Sequence, residues 1–399
     1  MERAIIRIGN VADIGRGSSP RPIIDKKYFE NGEIPWIKIA DATASGKYIY
    51  KTKEYVNDVG AAHSRKMKPG TLILSASGSL GIPHFLGVEG CIHDGWIYMD
   101  NIHDIDKQYL YYLLLTMRPY FNNLSYGAAI QNINTSILSK TKIEVPDMQS
   151  QEKIGLMLST YDNLIENNNK RIKLLEQMIE NLYKEWFVRF RFPGYENTKF
   201  VDGIPSDWKI LRMSDLCYVT DGTHDTPKPV NDGGVPLVTG KCIKNGFIDF
   251  NEPYNISYQD HESISKRSGL QTGDILFSNI GTVGTTCLVN YDREFSVKNV
   301  IIFKPDNIKV SNYLYSWLNS DSIQAIFATQ TNGASQQFVG LNFMRRFKIL
   351  VPNANVLDLY SDRIKPIRTE IVKLHDINEN LIKQRDMLLP RLMSGKLEV

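Results

Sequence analysis

The chain has 399 residues, of which 42% are hydrophobic and 23% charged, with a formal net charge of +3. At roughly 100–200 residues per domain this allows two or three domains, and the hydrophobic share excludes wholesale disorder. No apolar run, Tyr109–Leu115 included, reaches the ~18–20 residues of a membrane span, and no signal-like segment follows Met1, so a cytoplasmic protein with no membrane partner is expected.

The first ~145 residues read as short strands rich in Ile, Val, Thr and Tyr, broken by Gly and Pro, with a helical stretch near Tyr109–Phe121; this is the pattern of an α+β module. A Gly-Pro loop, GRGSSPRP (Gly15–Pro22), opens it. Ile34-Pro35-Trp36-Ile37, PGTLILSASGSLG (Pro69–Gly81), Tyr109-Leu110-Tyr111, Gly127-Ala128 with Gln131, and Ile143-Glu144-Val145-Pro146 follow in order. After Pro146 the apolar residues fall at alternating steps of three and four: Ile154, Leu158, Tyr161, Ile165, Ile172, Leu175, Ile179, Leu182 and Trp186, with Asn168 in the gap. That is the heptad seam of a coiled coil.

The same order then recurs at an offset that drifts from 201 to 206 residues. DGTHDTPKP (Asp221–Pro229) stands for the opening loop, followed by Val235-Pro236-Leu237-Val238, TGDILFSNIGTVG (Thr272–Gly284), Tyr313-Leu314-Tyr315, Gly333-Ala334 with Gln337, and Ile349-Leu350-Val351-Pro352. A second seam follows at Tyr360, Ile364, Ile367, Ile371, Leu374, Asn378, Leu381, Arg385, Leu388 and Leu392. An internal repeat of this kind decides the architecture before any single residue does. The expected division is 1–149 and 193–352 for the two modules, and 150–192 and 353–399 for two helical spacers.

Each seam covers 33 residues, or ~50 Å of helix. If the helices pack antiparallel with level ends, residue numbers in one layer sum to about 546, so Asn168 faces Asn378; two buried amides satisfy each other and fix the register. The competing reading is two amphipathic helices, each covering its own domain. Pro366 should kink the second helix or mark its true start. Antiparallel pairing would relate the modules by a pseudo-two-fold axis, so that one chain imitates a dimer.

A search for chemistry finds no G-x-x-x-x-G-K-[ST] loop, no G-x-G-x-x-G after a strand, no H-E-x-x-H and no Asn/Asp-Pro-Pro-Tyr/Phe tetrapeptide. No catalytic, cofactor or metal residues are expected. Cys91, Cys217, Cys242 and Cys287 stand far apart, which fits a reducing compartment and not a zinc site. Asp100, His103, Asp104 and Asp106 lack a counterpart in the second half and read as a charged loop. What recurs are polar loops whose side chains suit base edges and phosphates. In the first copy these are Arg16, Ser18, Ser19, Arg21, Lys38, Ser75, Ser77, Ser79, Gln131 and Asn132. In the second they are Thr223, His224, Asp225, Lys228, Lys241, Ser278, Asn279, Thr282, Gln336 and Gln337. The framework repeats while the loop residues differ, as two copies reading two sequences would require; for any one residue, a solvated loop is the competing reading. Charge balances of +2 (1–150), +1 (151–193), −1 (194–352) and +1 (353–399) leave no basic tail.

In this order, and repeated with intervening helices, these segments resemble the specificity subunits of type I restriction-modification systems. GIPSDW (Gly203–Trp208) looks like the lead-in to a second recognition domain, and LLPRLMSGKLEV (Leu388–Val399) is similar to the family's C-terminal helix end. The first copy departs by lacking the Pro-x-x-Trp lead-in. The resemblance implies two target recognition domains, each reading one half of a bipartite, asymmetric site on double-stranded DNA, with the helices as a ruler whose ~50 Å matches ~15 base pairs. It also implies two methyltransferase subunits using S-adenosylmethionine, restriction (translocase) subunits using ATP and Mg, and a docking surface on the helices and their flanks, including Trp186 and Phe187. A coiled-coil scaffold that reads no sequence and a self-contained DNA-modifying enzyme are the alternatives.

Overall fold

The computed structural model describes residues 3–43, 45–125, 132–331 and 338–399. The chain divides into two compact units, Met1–Arg171 with Leu374–Val399 and Ile172–Lys373. Each of the two long helices therefore contributes to both.

In the first unit, Asp13–Arg16, Trp96–Asp100, Leu72–Ser75, Pro83–Leu86 and Tyr48–Ile49 form a five-stranded sheet in that order, antiparallel except for the last pair. Leu72–Ser75 is buried at every position, which is why its sequence reads as an unbroken apolar run instead of an alternation. A second sheet orders Glu54–Val56, Ile34–Ile37, Gly90–Ile92 and Arg65–Met67, with a parallel central pair. Arg3–Arg7 pairs with Lys142–Pro146 and ties the start of the module to its end. The helix Lys107–Thr116 buries Tyr109, Tyr112 and Leu114 in the core. Asp106 caps it, accepting from the Tyr109 amide at 2.7 Å, as a short acceptor ahead of an apolar run does.

The second unit repeats this plan. Tyr218–Asp221, Val300–Lys304, Ile275–Ser278 and Thr286–Leu288 form an antiparallel sheet. Asn255–Ile256, Val235–Val238 and Ser296–Val297 form another, again with one parallel pair, and Lys209–Arg212 pairs with Lys348–Val351. The copies differ at their edges. Phe247–Ile248 pairs with Ile243–Lys244 instead of joining the larger sheet, and the short helix Asp58–Ala62 of the first copy is lengthened in the second to Tyr258–Ser268, which takes the place of the strand Arg65–Met67.

The long helices run over Met148–Tyr183 and Ala354–Met393. Both start the same way. A proline ends the preceding strand, and the next residue caps the helix: Asp147 accepts from the Ser150 amide at 3.0 Å and Asn353 from the Val356 amide at 2.9 Å. Pro366 does not mark a start, because the second helix runs through it from Ala354. Its ring lies on an exposed face, where the carbonyl that loses its amide partner can bond water.

Within the first unit the helices are antiparallel. Asn168 donates from Nδ2 to Asn378 Oδ1 at 2.9 Å, and Asn378 Nδ2 donates to Asn169 Oδ1 at 2.9 Å. Ile154, Leu158, Leu374 and Leu392 are buried around this layer, with Ile165 and Leu381 half-buried. Within the second unit the packing has the same sense: Trp186 meets Tyr360 at 5.8 Å, and Ile172 and Leu175 pack on the cluster that buries Ile371. Trp186 and Phe187 are not a free surface. The helix ends in a π-helical turn, Lys184–Val188, that drives both rings inward, and Phe187 lies 4.8 Å from Tyr313, 4.8 Å from Tyr360 and 5.8 Å from Trp208. Rings of this size bury enough area to dominate a core, and each well-placed pair adds about 0.5–1.5 kcal/mol.

A buried polar cluster seats the first module on its helices. Lys47, only 8% exposed, donates to the Tyr112 hydroxyl at 3.0 Å and lies 4.0 Å from Asp162. Tyr112 and Arg385 both donate to the Asp162 carboxylate. Burial holds the Lys47 ammonium down to about 8, with Asp162 opposing the shift.

Two outcomes are expected. Asn378→Ala leaves a buried amide unpaired and should destabilise the chain by about 1–3 kcal/mol, whereas Asn168→Leu with Asn378→Leu should recover most of that loss in denaturant midpoints. For Lys47, the unfolded chain keeps a proton that the folded chain releases between about 8 and 10.5, so stability rises with pH across that window by at most about 1.4 kcal/mol per unit. Below it, the buried charge counts fully against the fold. Lys47→Met should remove the rise, measured as unfolding midpoints on either side of pH 8.

Candidate nucleic-acid interface

In each copy the opening loop leaves the edge of the main sheet and clasps the segment that precedes the neighbouring strand. In the first, the Gly17 amide donates to the Trp96 carbonyl at 2.9 Å and the Ser18 amide to the Ile92 carbonyl at 3.1 Å. In the second, Gly222 donates to Val300 at 2.9 Å and Thr223 to Val297 at 3.0 Å. Both glycines are required by close approach, since an added Cβ would lie 2.2 Å from the His93 or Val297 carbonyl oxygen. The platform is thus the same backbone construction twice.

The side chains on it differ. Asp94 organises the first copy: Ser19 Oγ donates to it at 3.1 Å, Arg21 pairs with it, and His93 Nε2 lies 2.9 Å away. Burial pushes the His93 imidazole down, with Asp94 opposing. Arg16 donates from Nε to the Asp94 carbonyl at 2.8 Å and from Nη2 to Asn132 Oδ1 at 3.3 Å. Lys38 pairs with Glu54 and sits 5.3 Å over the Trp36 ring. Arg21 is exposed, and Arg16, Ser18, Lys38 and Asn132 are half-buried at the same loop cluster.

In the second copy the organising carboxylate is Asp221. Arg267 donates to its Oδ1 at 2.6 Å and to the Gly222 carbonyl at 2.7 Å. His224 places Nε2 2.8 Å from Asp221 Oδ2 and Nδ1 2.9 Å from Asn299 Oδ1. Thr223 is buried and accepts from the Asp225 amide at 3.1 Å, while Lys298 donates to Thr226. His224, Asp225, Lys228 and Lys241 are exposed.

The tight turns that follow the buried central strands divide their polar residues between two tasks. Ser75 (1% exposed) accepts from the Ile82 amide at 2.9 Å and donates to the Ser79 carbonyl. Ser278 (0%) lies 3.2 Å from Thr282 Oγ1 and 3.4 Å from the Ile280 carbonyl. These two hydroxyls brace the turn from inside and are shut off from solvent, which corrects their reading as contact residues. Asn279 is also buried and holds Val339 through backbone and side chain. Ser79 and Thr282 are exposed and Ser77 is half-buried. Gln131, Gln336 and Gln337 lie outside the described residues.

Sequence reasoning missed Asp94, His93, Arg267, Lys298 and Asn299. Four of these stand in the loop just before the strand that the opening loop clasps, and a position-by-position overlay of the repeats would have paired His93 with Lys298 and Asp94 with Asn299. Arg267 comes from a helix that is only one short turn in the first copy, Asp58–Ala62, and the repeat pairs it with Arg65, whose role as a strand residue gives no hint of a loop contact.

The profile of the type I restriction modification DNA specificity domain matches twice, over residues 2–177 and 205–381. The MjaIX specificity subunit of Methanocaldococcus jannaschii is 25% identical, over 98% of this chain and 93% of that protein. The HindI specificity subunit of Haemophilus influenzae is 21% identical, over 97% and 98%. Among solved structures, the type I restriction-modification S subunit from M. genitalium shares the fold with a TM-score of 0.59 at 14% identity, covering 98% of this chain and 96% of that one. Two matches to one domain profile, on two modules with the same strand order, make this chain a member of the type I restriction-modification specificity family.

Proposed function

We propose that this chain is the DNA-reading subunit of a type I restriction-modification complex, in which modules 1–149 and 193–352 each recognise one half of a bipartite, asymmetric site on double-stranded DNA. The observation that carries the reading is the platform built twice on one backbone plan with different side chains: Arg16, Arg21 and Asp94 in one copy, His224, Arg267 and Asp221 in the other. A fixed frame with changed polar groups is what two unlike half-sites demand. A net charge of +3 gives little bulk attraction for phosphate, so partner subunits supply much of the grip.

The helices set the spacing between half-sites and dock two methyltransferase subunits. Their lengths of 36 and 40 residues suit a ruler. Exposed apolar residues support docking: Leu156 and Leu164 in the first unit, Leu174 and Met178 in the second. Such side chains clustered on a helix mark an association surface. S-adenosylmethionine, ATP and Mg belong to the methyltransferase and restriction subunits in this reading, and the complex works in the cytoplasm. No helix among the described residues is long and apolar enough to cross a membrane.

Mobility shifts with the chain assembled on its methyltransferase subunits test the reading. Replacing Arg16 and Arg21 with Ala should weaken binding to the methylated sequence by about 10-fold or more, at about 1–3 kcal/mol per base contact, with less effect on unrelated DNA. Unchanged preference would favour a scaffold. Inserting about one turn in the helix Met148–Tyr183 should lengthen the spacer or abolish methylation, and unchanged spacing would contradict the ruler.

A further inference from the structure

The second unit contains a cavity of about 740 Å³ where its module meets its helical segments, lined by Gly246, Val283, Ser316, Ile371 and Arg368 among others. That is the size of a small-molecule site. At the corresponding place in the first unit the described side chains Lys47, Tyr112, Asp162 and Arg385 pack together instead. Counted back from the matched strands Glu54–Val56 and Asn255–Ile256, Gly46-Lys47-Tyr48 corresponds to Gly246-Phe247-Ile248, and Tyr111-Tyr112 corresponds to Tyr315-Ser316. Tyr112, which fills the first copy beside Lys47, thus becomes Ser316, and Lys47 becomes Phe247 in the cavity wall. On the helices, Asp162 and Arg385 become Arg368 and Ile179.

The substitution reverses the local charge demand. In the first copy a carboxylate on the helix receives Lys47, Tyr112 and Arg385. In the second a guanidinium stands at that position. Arg368 donates from Nη2 to Ser316 Oγ at 3.2 Å and to the Asn312 carbonyl at 3.5 Å, lies 4.6 Å over the Tyr315 ring, and keeps a buried Nε without a partner. Two carboxylates also line the cavity. Glu180 is tied to Lys184, and burial pushes the Glu176 carboxyl up, with Arg368 opposing. Ile179, Val283, Leu288 and Ile371 supply apolar wall.

We propose that this cavity binds a small organic anion, one carboxylate or phosphate group on an apolar body, with Arg368 holding the charged group. A guanidinium with an unmade hydrogen bond favours such acceptors, and the space left where Ser316 stands for Tyr112 in the repeat receives the body. Occupancy then joins the module to its helical segments in the second copy, as the Lys47 cluster does in the first.

The test uses the full chain and the probe 1-anilinonaphthalene-8-sulfonate, an aromatic body with one anionic group. One saturable site is expected, displaced by benzoate or phenyl phosphate and not by benzylamine. Arg368→Gln should weaken it at least 10-fold. Ser316→Tyr, which restores the first copy's filling, should abolish it. Arg368→Gln can fail to fold; Val283→Phe, which narrows the cavity from a half-buried position and leaves the guanidinium's hydrogen bonds intact, then decides, with the same 10-fold loss expected. No saturable binding, equal displacement by benzylamine, or unchanged binding in Ser316→Tyr and Val283→Phe would overturn the proposal. If a methyltransferase subunit displaces the probe as benzoate does, an acidic side chain of the partner is the occupant and the small-molecule site is refuted.

Discussion

A two-helix seam has room for few polar groups, and the few that it holds decide how it closes. Buried Asn168 and Asn378 satisfy each other at 2.9 Å, so sliding one helix by a heptad would strand both amides in an apolar layer. The stranded groups would each cost about 1–3 kcal/mol, more than any one apolar layer could restore by improved packing. Asp162 with Arg385 adds a second register mark two turns away. Each module is sewn to its helices by buried side chains, so the register of the seam sets where the loops of that module stand.

The two copies solve the same seating problem with different chemistry. The first uses a charged cluster around Lys47 and Asp162. The second uses an aromatic cluster of Tyr183, Trp186, Phe187, Tyr313 and Tyr360, and leaves the charged position underfilled at Arg368. A buried ion cluster contributes less net stability than an apolar core of the same volume but specifies geometry more narrowly. Duplication followed by such local exchange keeps the frame while freeing loops and cavities to diverge. The opening loops follow the same rule, with Gly17 and Gly222 held by backbone crowding, a Pro-basic-Pro run kept in both, and the polar side chains between them changed.

Much of the fold was legible because periodicity and repetition are global signals. The heptad seam, the layer shared by Asn168 and Asn378 and the equivalence of the modules all follow from spacing alone. The errors were local. Pro366 was expected to kink the second helix or mark its start; the start lies at Ala354, because the carbonyl that the proline deprives belongs to an exposed residue. Trp186 and Phe187 were placed at a docking surface by the family resemblance alone, whereas the π turn carries both rings into the core, as the seam position of Trp186 already implied. Ser75 and Ser278 looked like contact residues because a hydroxyl in a glycine turn reads alike whether it braces the turn or faces outward. Asp94 and Arg267 escaped notice since their importance depends on which loops meet, and that is set by strand order.

The central claim is that one backbone plan, used twice, reads two half-sites independently. The most direct measurement is a genome-wide map of methylated adenines made by the complex after residues 193–352 are replaced with the matching segment of a relative. The account predicts that one half of the bipartite site changes while the other half and the spacer persist. Alteration of both halves together would contradict it.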